Sequence, residues 1–274
     1  MMLKPAYSID DLSLEEVFRD LKLAALAYKK IRRWNWLKNF YIHFLPKSSH
    51  IKLKEKQLND HLLKELLPTA KSLSYFRIIH CEPKEIYFCN LGENKFATHS
   101  MFSINIQKDD FDDDIVPSAL SHEIVHTFSP GADESVTTIL GCEIDARMIL
   151  LGHKIHQISL CKLLRNLVRH VVYLKAEQVG QIAKWKDFIK SLEPNLMTED
   201  YLAELIDDYE NGGVFGKVSD YTLLPYLSIK TAIKNNIDFA IDEFRFFGSL
   251  KREKVEIPTL IQIWKELIEN RKEK

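Results

Sequence analysis

The spacing of apolar residues along the chain predicts mostly helices, with a few short strands before residue 107. The capping box at Ser13-Leu14-Glu15-Glu16 begins a predicted helix that ends near residues 29–33. Leucines then recur at helical spacing from 58 to 67, and we expect Pro68 to end or kink that helix. Residues 40–45 are predicted to form a strand.

Three further segments have the aromatic and branched composition of strands. They cover residues 75–80, 85–89 and 97–106, with a predicted turn at 82–84 between the first two. An edge strand can bind an extended peptide by adding it to the sheet. We therefore hypothesise that part of 97–106 is an edge strand over a peptide-binding cleft.

The pattern changes to helical at Ser121-His122-Glu123-Ile124-Val125-His126, which contains the HExxH motif. His122 and His126 are four residues apart, so a helix places both imidazoles on one face, where they can bind one zinc ion. Glu123 projects beside this pair and can act as a general base towards a metal-activated water. Pro117 fits the first turn of such a helix, where a missing N–H costs nothing.

A catalytic zinc usually has three protein ligands and one position for water, so a third ligand is needed. Asp133 is predicted to cap a second helix, with Glu134 in its first turn. A hairpin of two helices would bring Glu134 close to His126, and we favour it as the third ligand. Glu143, further along the same helix, is the alternative third ligand, although Arg147 four residues later could pair with it.

These residues resemble the gluzincins, the HExxH peptidases with a glutamate ligand, such as thermolysin and the membrane-alanyl-aminopeptidase group. Asp133-Glu134-Ser135-Val136-Thr137 is similar to their Asn-Glu-Gly-x-Ala phrase, although the spacing from His126 is shorter. Glu143-Ile144-Asp145-Ala146-Arg147 is similar to the Glu-x-x-Ala stretch of ImmA/IrrE-type gluzincins. The resemblance implies a zincin-like fold and a zinc metallopeptidase that hydrolyses peptide bonds, with peptides or proteins as substrates.

After the motif, helical spacing dominates the rest of the chain. The second helix is predicted to run to about Leu151 and to end at Gly152. Further helices are predicted over 153–174, 179–189 and 198–206, after Ser219 or Asp220, and from Pro258. The expected fold class is a helix-rich α+β protein, zincin-like, with a small mixed sheet and helices in the N-terminal part and a helical C-terminal part.

We expect two lobes that together form one catalytic unit. Residues 1–130 would form an N-terminal α/β lobe ending in the HExxH helix, and residues 131–274 a helical C-terminal lobe, with a cleft between them. A Tyr or His from the second lobe could stabilise the oxyanion of the reaction. The candidates are His153, His156, Tyr221 and Tyr226.

Composition narrows the possible functions further. The 274 residues are 46% hydrophobic, which supplies a sizeable core, and the net charge of −1 gives no indication of nucleic-acid binding. The chain has no apolar run of membrane-spanning length and no N-terminal signal, so we expect no membrane partner and a cytoplasmic location. Two alternatives stay open: a non-catalytic zincin-like binding or regulatory protein, and a helical interaction protein without metal. The oligomeric state is not predicted.

Overall fold

The computed structural model describes residues 8–38, 56, 58–76, 79, 81–92, 96–107, 114–194, 197–211, 219–235, 239–241, 245–246, 249–250 and 253–269. Within these ranges helices predominate and accompany a small mixed sheet, which confirms the helix-rich α+β class. The longer helices are α1 (Leu14–Lys38), α3 (Val116–Phe128), α4 (Glu134–Leu150), α5 (Lys154–Gln178), α6 (Ile182–Leu192), α7 (Glu199–Asn211) and α8 (Ser219–Asn235). The shorter helices are α2 (Leu67–Lys71) and α9 (Pro258–Trp264).

Helix α1 begins where its sequence predicts but ends later. The Ser13 hydroxyl accepts a hydrogen bond from the Glu16 backbone N–H at 3.0 Å, which satisfies one free donor of the first turn. The helix then continues through the predicted end at 29–33 to Lys38, and it packs against α5. Residues 40–45, predicted to be a strand, lie outside the described residues.

The helical segment over residues 58–71 passes through Pro68 without ending. Leu62–Leu66 form a π turn, in which the Leu67 N–H bonds to the Leu62 carbonyl, and α2 follows directly. The wider turn places Pro68 in the first turn of α2, where its missing N–H leaves no hydrogen bond unmade. Of the two outcomes predicted for Pro68, the helix end is therefore wrong, and the kink stays a prediction.

The sheet has the order β1-β3-β2. Strand β1 (Glu85–Cys89) runs parallel to β3 (Ser103–Gln107), and β2 (Ala97–His99) runs antiparallel to β3. The predicted single strand over 97–106 is wrong, because a turn closed by the Ser100 N–H and the Ser103 carbonyl divides it into β2 and β3. Strand β2 is nevertheless an edge of the sheet and packs against α3.

Two other sequence-based expectations for strands need correction. Tyr75, Phe76 and Ile79, the described members of the predicted strand over 75–80, have no strand structure. The C-terminal part is also not wholly helical, because β4 (Phe239–Ile241) pairs with β7 (Glu253–Val255) and β5 (Arg245–Phe246) pairs with β6 (Ser249–Leu250). The division into lobes at residue 130 stays a prediction.

Helix α4 lies in the centre of the molecule and is buried on nearly every side. It packs against α3, α5, α8 and α9. Gly141 permits the closest approach to α3, because a Cβ at this position would lie 3.2 Å from the His122 backbone nitrogen. The pair α3 and α4 therefore forms a rigid base for the HExxH residues.

Among the described residues, no helix combines the length and apolar character needed to cross a bilayer. All four cysteines are free. Cys142 and Cys161 are buried, and Cys81 and Cys89 are half-buried.

Candidate metal centre

Helix α3 places the two histidines of the motif on one face, as their spacing predicts. The Nε2 atoms of His122 and His126 are 3.2 Å apart, and both point to the same side of the helix. The helix is held in place by its apolar residues, of which Leu120, Ile124 and Val125 are fully buried. His126 is buried and His122 is partly exposed, so the pair is accessible to solvent through His122.

Glu134 completes a triad with these imidazoles. Asp133 caps α4 by accepting a hydrogen bond from the Val136 N–H at 3.0 Å, which places Glu134 in the first helical turn as predicted. Its Oε2 atom is 3.0 Å from His122 Nε2, and its Oε1 atom is 3.2 Å from His126 Nε2. Burial acts to raise the pKa of Glu134, but the two imidazoles outweigh it and hold this pKa well below its ordinary value.

The distances within the triad suit a tetrahedral divalent ion. Zinc lies about 2.0–2.1 Å from nitrogen or oxygen ligands, so tetrahedral ligands are separated by about 3.3 Å. The Nε2 atoms of His122 and His126 are 3.2 Å apart, and each lies 3.0–3.2 Å from a different oxygen of Glu134. Two imidazoles and one carboxylate suit zinc and other divalent transition metals, and such a set leaves one position for water.

Glu123 lies beside the triad and is fixed by a residue that the sequence did not single out. The Oε2 atom of Glu123 is 2.9 Å from Nδ1 of His99, on the edge strand β2. The His99 ring is stacked on His126, with ring centroids 5.0 Å apart. The hydrogen bond to Glu123 raises the pKa of His99, against the opposing effect of burial. Only the position of His99 on the strand before the motif could have indicated this role.

Glu143, the alternative third ligand, lies elsewhere. Its side chain is fully buried and accepts hydrogen bonds from Arg147 Nε at 2.9 Å and from the Leu260 backbone N–H at 2.7 Å. The carboxylate thus caps the first turn of α9 by satisfying the free N–H group of Leu260. The predicted pairing with Arg147 is confirmed, and the structure brings Glu134 rather than Glu143 to the two imidazoles.

A buried hydrogen-bond network supports the back of α3. Asp145 is fully buried and accepts hydrogen bonds from the hydroxyls of Ser118 and Ser121, both on α3. Its Oδ1 atom is also 2.7 Å from Nδ1 of His156. Because Ser121 directly precedes His122, this network fixes the rotation of the motif helix. This network could not be predicted from the sequence, since its members are spread over 118–156.

The proposed oxyanion candidates lie apart from the triad where they are described. Tyr226 is buried and donates a hydrogen bond to Asp20 at 2.9 Å, so it is a core residue. His156 contacts Asp145, and His153 Nε2 is 2.9 Å from Glu65. The side chain of Tyr221 lies outside the described residues.

No protein-family profile, curated protein or solved structure matches this chain. Its function must therefore be inferred from its own residues. The triad is one of two groups of described residues that could hold a metal ion, and it is the one that contains the HExxH histidines with Glu123 beside them.

Proposed function

We propose that this chain is a zinc-dependent peptidase of the gluzincin type with a zincin-like fold. The single observation that supports the proposal is the convergence of His122, His126 and Glu134 beside Glu123, with each Nε2 atom 3.0–3.2 Å from an oxygen of Glu134. Such a set holds a metal ion and leaves one position for a reactant, which is the arrangement of a hydrolytic zinc centre rather than a structural one.

Zinc bound there would lower the pKa of a water molecule to about 7. Glu123 would accept a proton from this water as its oxygen attacks the carbonyl carbon of a peptide bond. The C–N bond then breaks, and Glu123 passes the same proton to the leaving nitrogen. His99, at 2.9 Å from the carboxylate, holds Glu123 in position for both transfers.

Strand β2 is the proposed guide for the substrate. Among the described residues it is one of the two edge strands of its sheet, and it carries His99 on the side that contacts the motif helix. A peptide added to this edge would run past Glu123, because His99 joins the strand to that carboxylate. The substrate class is accordingly an extended peptide or an unfolded protein segment.

The test uses the full chain without a histidine tag, loaded with zinc, and a peptide library as substrate. Glu123→Gln should retain the metal bound by the triad and lose about 10²–10⁴-fold in turnover, because Gln cannot accept the proton. Glu134→Gln is the matched variant, which should lose both metal and turnover.

Each result separates the proposal from its alternatives. Equal turnover by Glu123→Gln and the parent chain would refute the role of Glu123. Metal binding without turnover of any library member would favour a non-catalytic binding or regulatory protein. A parent chain that holds no metal at this triad would overturn the proposal.

A further inference from the structure

A second group of two histidines and one carboxylate lies apart from the HExxH triad. His61 and Glu65 are on the helical segment before α2, and His153 directly precedes α5. Glu65 Oε2 is 2.9 Å from His153 Nε2 and 3.3 Å from His61 Nδ1. The three side chains are 15–42% exposed, so an ion from solvent can reach them.

The contacts of Glu65 are not those of an ordinary hydrogen-bonded pair. Its Oε2 atom is buried and accepts no hydrogen bond from any part of the chain that the structure describes. The two imidazole nitrogens are nevertheless close to it, so their rings do not direct an N–H at the oxygen. A buried carboxylate oxygen with no donor is costly unless a cation satisfies it.

The contact between His61 and His156 determines which His61 nitrogen can bind a metal ion. Asp145 already accepts hydrogen bonds from two serines and contacts Nδ1 of His156, so that nitrogen carries the proton. His156 Nε2 lies 2.8 Å from His61 Nε2, so one of these two nitrogens carries the proton of the contact. With that proton on His61 Nε2, its Nδ1 is free to bind a metal ion.

This assignment leaves a lone pair on His61 Nδ1, which lies 3.3 Å from Glu65 Oε2. Two acceptors at 3.3 Å repel each other unless a positive charge lies between them. A metal ion between the two atoms would supply that charge.

From these contacts we infer a second site for a divalent transition-metal ion, held by His61 Nδ1, Glu65 Oε2 and His153 Nε2. Two imidazoles and one carboxylate are the ligands that zinc and its neighbours prefer. His156 and Asp145 orient His61 from behind, as the outer partners of metal-bound histidines do. The ion would fasten the start of α5 to the helical segment before α2.

Metal counting on the full chain without a histidine tag tests this site. The protein is stripped with a chelator, dialysed to equilibrium against Zn²⁺ and analysed for zinc per chain. The parent should bind two ions. Glu65→Gln keeps the shape of the side chain and should reduce the count by one, and His153→Gln should do the same. Asp60→Asn is the matched control, because Asp60 lies on the same segment and pairs only with Lys64 at 3.1 Å among the contacts described for it.

The result does not depend on the proposed peptidase. In a Glu134→Gln background the HExxH site should be lost, and one ion should remain that Glu65→Gln then removes. Replacing Zn²⁺ by Co²⁺ in that background should give a visible absorption band, which disappears with Glu65→Gln. Unchanged zinc counts in both Glu65→Gln and His153→Gln would overturn the second site, and so would an equal loss in Asp60→Asn.

Discussion

Nδ1 of His99 lies 2.9 Å from Oε2 of Glu123, and this contact connects the edge of the sheet to the motif helix. A carboxylate that must accept and return a proton needs a fixed position, because small displacements cost large factors in rate. The His99 ring also stacks on His126, so one side chain touches both the proposed general base and a proposed ligand.

We predict that His99→Phe lowers kcat while the triad keeps its metal. Phe retains the flat ring against His126 but removes the donor to Glu123, so only the position of the base is disturbed. Changes to such outer partners typically cost about 10–100-fold in activity. Steady-state kinetics should show the loss in kcat, and zinc analysis should show an unchanged count. An undiminished kcat would mean that His99 does not position Glu123.

The two glutamates of α4 should behave in opposite ways. Glu134→Gln should abolish metal binding at the triad and change the stability of the metal-free chain little. Glu143→Gln should keep the metal, but it weakens charge-assisted hydrogen bonds to Arg147 and to the Leu260 N–H, at a cost of about 1.5–3 kcal/mol.

Zinc analysis and denaturant unfolding of the two chains, prepared in parallel, provide the measurement. Loss of the triad's metal in Glu143→Gln, with retention in Glu134→Gln, would reverse the assignment of the third ligand.

Gly141 should be intolerant of larger side chains. A Cβ there would lie 3.2 Å from the backbone nitrogen and 3.3 Å from the Cα of His122, and backbone atoms cannot rotate away. Gly141→Val should therefore separate α3 from α4 and destabilise the fold by about 1–3 kcal/mol. It should also weaken zinc binding, because the ligands lie on both helices.

Thr138→Val, one turn earlier on α4, serves as the comparison for a branched residue in the same helix. If Gly141→Val binds zinc as tightly as the parent, the close approach of the two helices is not required by the site.

A buried histidine away from both clusters should make stability depend on pH. Burial, with a smaller effect of Arg169, lowers the pKa of His170 to about 4, and its ring is stacked on Tyr209 and contacts the Thr222 hydroxyl at 3.0 Å. Above about pH 6.5 the ring is neutral in both folded and unfolded chains. Between about pH 6.5 and 4 only the unfolded chain gains the proton, so stability falls by up to about 3 kcal/mol.

His170→Gln removes this titration. Its free energy of unfolding should be lower at pH 7 but should fall less steeply than that of the parent between pH 6.5 and 4. Chelator-treated chains are compared, so that the remaining histidines titrate equally in both. If the free energies of unfolding of the two chains run parallel between pH 6.5 and 4, His170 has the same pKa in the folded and the unfolded chain.

The local parts of this structure could be predicted from the sequence, because a few neighbouring residues determine them. The spacing of His122 and His126, the cap at Asp133, the helix end at Gly152 and the start of α9 at Pro258 follow from local rules, and the structure has each of them. The helix end predicted at Pro68 is wrong because a π turn precedes the proline, so that its missing N–H leaves no hydrogen bond unmade. Formation of this turn depends on how Leu62 and Leu66 pack in the core.

The long-range contacts could not be predicted, since they join residues far apart in the chain. His61 and Glu65 are four residues apart on one helix face, but nothing in the sequence indicates that His153 meets them. Similarly, the sequence leaves Glu143 as a possible ligand. Only the structure shows that its carboxylate accepts a hydrogen bond from the Leu260 N–H in the first turn of α9. The choice between Glu134 and Glu143 therefore required the three-dimensional arrangement.

The buried carboxylate of Asp145 has a consequence for how two ions would bind. It accepts a hydrogen bond from Ser121, the residue before His122. It also contacts His156, which in turn contacts His61. If both clusters bind metal, an ion at one cluster should change the metal affinity of the other. Thermodynamic reciprocity requires the two affinities to change by the same factor. Binding isotherms for the paired ions would then depart from those of two independent sites.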